Sequence, residues 1–166
     1  TFGADDADLF FEHSTSTAVA LSDRQVNRCH TSVDLGVGIR VVVQDQVGYA
    51  YTEDLSLESM LRAAKTAAEI ARGVAANQGA VAVKARVQPD YYPVDKQWSD
   101  VDIATRIPLV RSWEQRAFDV DDRVHKVDVH LGDTDKHVLI ARADGRIVAD
   151  YRPMTRGFVV VTAVDG

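Results

Sequence analysis

The sequence predicts an α+β fold in which a largely antiparallel sheet carries two helices packed on one face, in the order strands, helix, helix, strands. The first third of the 166 residues holds short β-branched runs separated by turn residues, which is typical of antiparallel strands. The middle third has apolar residues at spacings of three and four, which indicates helices. The last third returns to strand-like runs, two of which are joined by an Asp-Gly turn.

The N-terminal third is predicted to form a meander of short strands. Turn residues at 22–25 and 44–46 mark the points where the chain reverses. Gly38 lies inside one of the runs, where a glycine indicates a bulge or a close approach of backbone. The predicted strands cover residues 8–12, 17–21, 26–34, 36–43 and 47–52.

The first helix is predicted to begin after Ser56, a suitable N-cap, with Glu58 in the first turn where the helix dipole favours an acidic side chain. An alanine-rich apolar face allows this helix to lie close to a sheet. That face comprises Leu57, Leu61, Ala64, Ala68, Ala71 and Ala75. The polar face comprises Arg62, Lys65, Glu69 and Arg72. Residues 77–79 (Asn-Gln-Gly) are expected to end the helix.

A second helix is predicted from about residue 102 to 118. Residues 81–87 before it alternate apolar and polar, which is consistent with a strand, and the prolines of 89–93 indicate an extended loop. Pro108 either occupies the first turn of a helix that starts near 107 or kinks a longer helix. The predicted apolar stripe comprises Ile107, Val110, Trp113 (or Glu114) and Ala117.

The C-terminal third is predicted to form four strands. Residues 132–135 (Gly-Asp-Thr-Asp) indicate a turn, and residues 143–146 hold the Asp-Gly pair expected of a hairpin. Arg152 and Pro153 interrupt the pattern before the last strand. The predicted strands cover residues 123–131, 137–142, 147–151 and 156–164.

Composition places the chain among ordinary globular proteins and excludes several functional classes. Hydrophobic residues make up 46% and charged residues 27%. The net charge is −6 without a basic cluster, which argues against direct nucleic-acid binding. No apolar run approaches the roughly 20 residues of a membrane span, and no signal peptide is visible. The single cysteine, Cys29, excludes an intrachain disulfide and favours a cytoplasmic location.

The sequence contains no recognisable catalytic or metal site. No two of its histidines share a helix at the spacing that binds zinc. These histidines are His13, His30, His125, His130 and His137. The acidic segments 119–122 and 133–135 lack the glycine and glutamate of a calcium loop. Cys29 has no neighbouring set of cations and no helix N-terminus to activate a thiol, and it is predicted to be structural. We therefore assign no catalytic residue and no metal ligand.

Four segments form a pattern more specific than these motifs. Residues 34–41 read Asp-Leu-Gly-Val-Gly-Ile-Arg-Val, and residues 48–52 read Gly-Tyr-Ala-Tyr-Thr. Residues 54–57 (Asp-Leu-Ser-Leu) then open the alanine-rich helix, and residues 149–153 read Ala-Asp-Tyr-Arg-Pro. Together these segments resemble the N-terminal domain of the TldD/PmbA family, also called modulators of DNA gyrase. The last segment resembles the TldD branch, and the likeness extends over about residues 3 to 166.

The resemblance implies a cytoplasmic metallopeptidase that acts on unfolded or small peptides. It also implies a heterodimer with a homologous TldE/PmbA-type subunit. The family's zinc site resembles an H-E-x-x-x-H helix with a later cysteine, in a C-terminal domain that this sequence does not contain. No cofactor is therefore expected in this chain, and zinc is expected in the missing domain. Because the chain begins at Thr1 and ends after a strand-like run, we expect residues 1–166 to be a single N-terminal domain cut from a longer protein.

Two functional hypotheses follow from this resemblance, and a third that the residues leave open is a stand-alone enzyme with an unrecognised site. In the first, the domain is non-catalytic, helps to enclose a proteolytic chamber and presents peptide by strand addition. Gly36, Gly38 and Arg40 are the predicted peptide-contacting strand. In the second, the domain is a protein–protein interaction module of the gyrase-modulator type, without activity of its own.

Overall fold

The computed structural model describes residues 4–71, 84–85 and 93–165, and its α+β class is the predicted one. The strand order is β3-β2-β1-β5-β6-β4, with β7 paired to β5, and the pairing is antiparallel except between β4 and β6. None of the described helices is long and apolar enough to cross a membrane. The elements are β1 (Asp6–Ser22), β2 (Gln25–Val43), β3 (Gln46–Thr52), α1 (Leu57–Ile70), β4 (Lys84–Ala85), a 3₁₀ helix (Trp98–Asp100), α2 (Ile103–Phe118), β5 (Val124–Arg142), β6 (Arg146–Tyr151) and β7 (Met154–Ala163).

The chain divides into two compact units. The described residues of unit 1 lie within Thr1–His13, Asp34–Tyr91 and His137–Tyr151. Those of unit 2 lie within Ser14–Val33, Tyr92–Lys136 and Arg152–Gly166. The strands β1, β2 and β5 are 17 to 19 residues long, and each of them contributes one segment to unit 1 and another segment to unit 2.

In unit 1, α1 packs against β3 and the neighbouring strand at backbone distance. The buried residues of this core are Val37, Ile39, Val41, Ala63, Ala67, Ala68 and Ala71. Gly48 of β3 makes the close approach necessary, because a Cβ atom there would overlap the carbonyl oxygen of Ala67 and lie 2.8 Å from the nitrogen of Ala71. Only the smallest side chains fit between elements this close.

This close approach corrects the predicted apolar face of α1. Ala68 and Ala71 are buried as predicted, but Leu57 and Leu61 are 70% and 51% exposed. The buried stripe instead includes Ala63 and Ala67, because a leucine cannot enter the narrow gap between helix and strand. Ala64 is half-buried. Ala75 and the predicted helix end at 77–79 lie outside the described residues.

The predicted start of α1 is confirmed. The Ser56 hydroxyl accepts a hydrogen bond from the Ser59 amide at 3.3 Å. The Asp54 carboxylate accepts from the Ser59 hydroxyl at 2.6 Å and from the Ser56 amide at 2.8 Å, and these bonds lower the pKa of Asp54. On the polar face, Arg62, Lys65 and Glu69 are exposed as predicted, and Arg72 lies outside the described residues.

In unit 2, α2 covers strands of β-branched residues. The core comprises Val19, Leu21, Val110, Val127, Val129 and Leu131. Asp102 caps the helix by accepting from the Ala104 amide at 2.8 Å, and Pro108 lies in the helix interior, which confirms the longer of the two predicted helices. Val110 and Glu114 of the predicted stripe are buried. Ile107, Trp113 and Ala117 are half-buried.

Three predicted breaks in strands are wrong. β1 is continuous through residues 13–16, β2 is continuous through residue 35, and β5 is continuous through 132–135, where a turn was predicted. Residues 132–134 pair with β7, and the side chains of Asp133 and Asp135 are buried instead of forming a turn. The turns at 22–25, 44–46 and 143–146 are confirmed, with positive φ at Asp23, Gln44 and Gly145 among others. Of the predicted strand at 81–87, the structure describes only β4, and residues 89–92 of the loop lie outside the described residues.

We predict that Gly48→Ala destabilises unit 1 because the new methyl group overlaps the Ala67 carbonyl and forces α1 away from β3. The expected loss in the free energy of unfolding is about 1–3 kcal/mol, as for other overpacked cores. Urea unfolding followed by circular dichroism measures this loss.

Gly132→Ala is the matched control, since a Cβ atom there meets nothing closer than the Thr17 carbonyl oxygen at 3.8 Å. Equal destabilisation by the two substitutions would contradict the proposed close approach.

Candidate functional site

The three predicted peptide-contacting residues lie together on β2, in unit 1. Gly38 is buried and pairs with Tyr51 of β3, and a Cβ atom on Gly38 would overlap the Tyr49 side chain. The predicted close approach at Gly38 is therefore made by a tyrosine ring. The register between β2 and β3 is unbroken from Val37 to Val43, so this strand pair has no bulge there.

Gly36 and Arg40 flank this contact. Gly36 is half-buried, and a Cβ atom there would lie 3.1 Å from the Thr52 carbonyl oxygen. Arg40 is exposed and donates from Nε to the Asp8 carboxylate at 2.7 Å, an ion pair that raises the pKa of Arg40. In the strand order, β2 lies between β3 and β1. Peptide contact by these residues stays a prediction.

Unit 1 also contains an open groove of about 450 Å³, which we call the imidazole groove. Three aromatic rings form a row in it. The His13 and His137 rings are 6.4 Å apart between centroids at an interplanar angle of 20°, and the His137 and Tyr151 rings are 4.8 Å apart. The groove is lined by Phe11, Glu12, His13, Leu35, His137, Val138, Leu139, Ala149, Asp150 and Tyr151.

Strand alternation places these side chains on one face. His137 pairs with Tyr151 and Leu139 with Ala149 in the antiparallel register of β5 and β6, and residues two apart on a strand point to the same side. Leu35, immediately before Gly36, adds an apolar wall from β2. The imidazole groove therefore borders β2 on the face that carries Leu35, whereas Gly36, Gly38 and Arg40 belong to the other face of that strand. Imidazole nitrogens can donate or accept hydrogen bonds, and the apolar walls can hold side chains.

Sequence reasoning did not find this groove. Its histidines come from β1 and β5, which are more than a hundred residues apart in the chain. Part of the groove could have been predicted from the two strands that flank the hairpin turn at 143–146. Alternation along these strands places His137 and Tyr151 on one face. The strand that lies beside His137 on its other side could not be identified from local pattern.

The described residues do not fit a zinc site. None of them forms a group of three histidine, cysteine, aspartate or glutamate side chains that could hold a metal ion. His13 and His137 are brought together as a pair, whereas His125 is exposed. Cys29, predicted to be structural, is exposed on β2.

A buried ion pair connects α2 to β5 in unit 2. The Arg106 guanidinium donates to the Asp133 carboxylate, and both side chains are at least 95% buried. Arg106 also donates to the carbonyl oxygens of Trp98 and Val101 at 3.1 and 3.2 Å, and it stacks on the Trp98 ring. Asp135 accepts from the Ser99 amide at 2.7 Å. These bonds attach residues 98–106 to the strand, so we assign the pair a structural role.

The environment of Asp133 predicts an unusual dependence of stability on pH. Burial raises the pKa of Asp133 and the nearby Asp135 raises it further, while Arg106 opposes both. An acid whose pKa is higher in the folded chain binds protons preferentially when folded. Its contribution to stability therefore falls as pH rises from the unfolded pKa of about 3.9 through the folded pKa.

We predict that the free energy of unfolding of the wild-type chain relative to Asp133→Asn decreases as pH rises across this range. Urea unfolding at a series of pH values measures the difference. Asp128→Asn is the control of opposite sign, because hydrogen bonds from Ser22 and Lys126 lower the pKa of Asp128. The wild-type chain relative to Asp128→Asn gains stability as pH rises, and equal signs for the two variants would refute this account.

Comparison with known proteins gives two family models that match in sequence order. The first domain of the PmbA/TldA metallopeptidases matches residues 7–71. The central domain of the same metallopeptidases matches residues 96–166. Together the two models cover most of the chain.

Curated relatives and solved structures agree with these models. The chain is 29% identical over 153 residues to a metalloprotease TldD homolog of Haemophilus influenzae, covering 92% of this chain and 32% of the relative. It is 25% identical over 161 residues to a metalloprotease TldD homolog of Buchnera aphidicola, covering 97% of this chain and 33% of the relative. The chain thus spans about a third of the length of these relatives.

Two crystal structures show the same fold. A protein from Bacteroides thetaiotaomicron, named as a modulator of DNA gyrase, superposes with a TM-score of 0.79 at 17% identity, covering 98% of this chain and 38% of that chain. TldE from Thermococcus kodakarensis superposes with a TM-score of 0.68 at 13% identity, covering 98% and 37%. At these identities the likeness concerns the fold alone.

Proposed function

Because this chain belongs to the PmbA/TldD metallopeptidase family, we propose that it is the non-catalytic N-terminal part of a TldD-like zinc metallopeptidase that degrades or processes peptides. The observation that supports the proposal is that the chain matches the first and central domains of the family. It covers about one third of the length of its relatives. In this proposal zinc is bound by the remaining length of the protein. We further propose that the protein is cytoplasmic.

Peptide handling is the role that we propose for unit 1. Unfolded peptide offers extended backbone and apolar side chains, and the imidazole groove offers exposed rings and aliphatic walls along adjacent strands. His13, His137 and Leu139 are exposed within it. We propose that the imidazole groove forms part of the wall of a proteolytic chamber. We propose a separate peptide contact for Gly36, Gly38 and Arg40, which alternation places on the other face of β2 from Leu35.

Subunit contact is a second role, and it is supported by β7. This strand pairs with β5 alone among the described strands, and it is exposed along all ten residues. Its exposed large apolar side chains are Met154, Phe158, Val159, Val160 and Val161. An unpaired edge with exposed apolar residues favours association with another chain. We propose a homologous TldE/PmbA-type subunit as the partner.

The peptide-handling role predicts the effect of a substitution in the groove. In the longer protein that contains this chain, His137→Ala removes the central ring of the aromatic row. We expect KM for an unstructured peptide to rise by up to about tenfold with kcat nearly unchanged, because a binding contact is lost and no reacting group is touched.

His125→Ala is the matched control, since His125 is an exposed histidine outside the groove. Zinc content and the rate of hydrolysis are measured on the longer protein and on residues 1–166 alone. A full equivalent of zinc with hydrolysis by residues 1–166 alone would refute the non-catalytic assignment, and unchanged KM in His137→Ala would refute the role of the groove.

The subunit role predicts that a charge on β7 weakens assembly. Val160→Lys places an ammonium group on the exposed apolar strand, and we expect the dissociation constant for the TldE/PmbA-type partner to rise at least about tenfold. Size-exclusion chromatography with and without the partner measures this change. Val120→Lys, at an 80% exposed position after α2, is the control. Assembly that is insensitive to Val160→Lys would argue against β7 as the contact.

A further inference from the structure

A second groove lies in unit 2, and its chemistry differs from that of the imidazole groove. Two arginines and two histidines converge on a cavity of about 180 Å³. An adjoining cavity of about 250 Å³ shares four lining residues with it, namely Ala18, His30, Gly132 and Arg156. We call the two cavities together the cationic groove. Its basic and aromatic lining residues are Arg28, His30, His130, Arg156 and Phe158, and Asp133 and Met154 line the second cavity.

Strand register builds this groove from residues that are distant in sequence. His130 pairs with Phe158 and Gly132 with Arg156, so both pairs lie on one face of β5 and β7. The floor consists of small residues, Ala18, Ala20 and Gly132. A Cβ atom on Gly132 would meet nothing closer than 3.8 Å, so the space above it is open. The long side chains of the cationic groove therefore surround a base of small residues.

Among the residues that the structure describes, none forms an ion pair with the arginines of this groove. Five arginines lie in the described strands, and three of them form ion pairs, namely Arg40 with Asp8, Arg142 with Asp6 and Arg146 with Asp144. Among the described residues, Arg28 and Arg156 form no ion pair, and both belong to the cationic groove. The chain has a net charge of −6, so acidic residues are in excess. Two unpaired strand arginines in one groove indicate a site for an external anion.

The neighbouring acidic groups are held elsewhere. Asp128 lies on the same strand, and its carboxylate accepts from the Ser22 hydroxyl and pairs with Lys126 at 3.1 Å. Asp133, next to Gly132, directs its carboxylate to the buried Arg106. Neither carboxylate is available to neutralise Arg28 or Arg156.

Aromatic contacts hold one side of the groove in place. The Phe158 ring stacks on His130 with 4.5 Å between centroids, and the Arg156 guanidinium lies 5.1 Å from the centre of the Phe158 ring. A guanidinium that is stacked on a ring keeps its donors free for an anion in the plane of the group. Phe158 also supplies an apolar surface beside the charge.

We propose that the cationic groove binds the free C-terminal carboxylate of a peptide whose last side chain is apolar. Arginine donors suit a carboxylate, the histidine nitrogens can add hydrogen bonds, and Phe158 with the alanine floor contacts the side chain. The small volume admits one such residue, whereas a nucleic acid would need an extended basic track. This inference deepens the proposed function, since it rests on peptide as the ligand.

Direct binding to the 166-residue chain tests the proposal without any turnover. Isothermal titration calorimetry compares an unstructured hexapeptide ending in phenylalanine with a free carboxylate against the same peptide as its C-terminal amide. We expect the amide to bind at least about tenfold more weakly, because a charge-assisted interaction is lost. Affinity for the free acid should also fall as salt concentration rises.

Arg28→Gln and Arg156→Gln should each weaken binding of the free acid by about tenfold while leaving the thermal midpoint unchanged, since both side chains are exposed. Arg111→Gln, at an exposed position of α2, is the matched control and should bind like the wild type. Equal affinity for acid and amide, or insensitivity to both arginine substitutions, would overturn the proposal. Tighter binding of inorganic phosphate or of a single-stranded oligonucleotide would overturn the choice of a carboxylate. Loss of peptide turnover in the longer protein with intact carboxylate binding here would count against the proposed function alone.

Discussion

The alternation of side chains along β5 is the constraint on which most of the structure depends. β5 is nineteen residues long, and within it every second side chain from Val127 to Asp135 is buried, while the residues between them face the other way. The buried side chains contribute to the core of unit 2. They also include the carboxylates that accept hydrogen bonds from the Arg106 guanidinium and the Ser99 amide. The other set includes His130 and Gly132 of the cationic groove. A slip of one residue would exchange the two sets, so core and groove are fixed by the same register.

Most of the architecture could be predicted from local pattern because the pattern and the packing agree. Turns with positive φ, the Ser56 cap and the order of strands and helices were all visible in the sequence. The prediction failed at 132–135, where Gly, Asp and Thr were interpreted as turn residues. The reason is a long-range partner: Arg106 neutralises Asp133 inside the protein, so a polar residue can occupy a buried strand position. The predicted burial of Leu57 and Leu61 is wrong for a related reason. Gly48 brings α1 so close to β3 that a leucine side chain does not fit between them.

The candidate sites could be predicted far less well than the fold. Gly36, Gly38 and Arg40 were singled out because glycines permit a peptide to approach a strand closely, and the three residues lie on one strand as expected. By contrast, the residues that line each groove become neighbours only when the strands pair. Identity and order of pairing strands are not encoded in periodicity, because any two strands with one apolar face satisfy the same pattern. The histidines therefore looked isolated in the sequence, yet His13 lies beside His137 and His130 lies against Phe158.

Charge placement distinguishes the two grooves more sharply than their shape does. The imidazole groove includes the carboxylates of Glu12 and Asp150 among its lining residues. The cationic groove includes that of Asp133, which is paired with the buried Arg106, and it concentrates guanidinium groups on a floor of alanine and glycine. In an acidic chain, an exposed arginine without a carboxylate partner is not the default, because acidic residues outnumber basic ones by 25 to 19. Arg156 is held on Phe158 by ring stacking instead of by an ion pair, which keeps its donors available in a fixed direction. Donors that are fixed in direction and not neutralised allow this strand surface to select an anion, although the net negative charge of the chain would repel it.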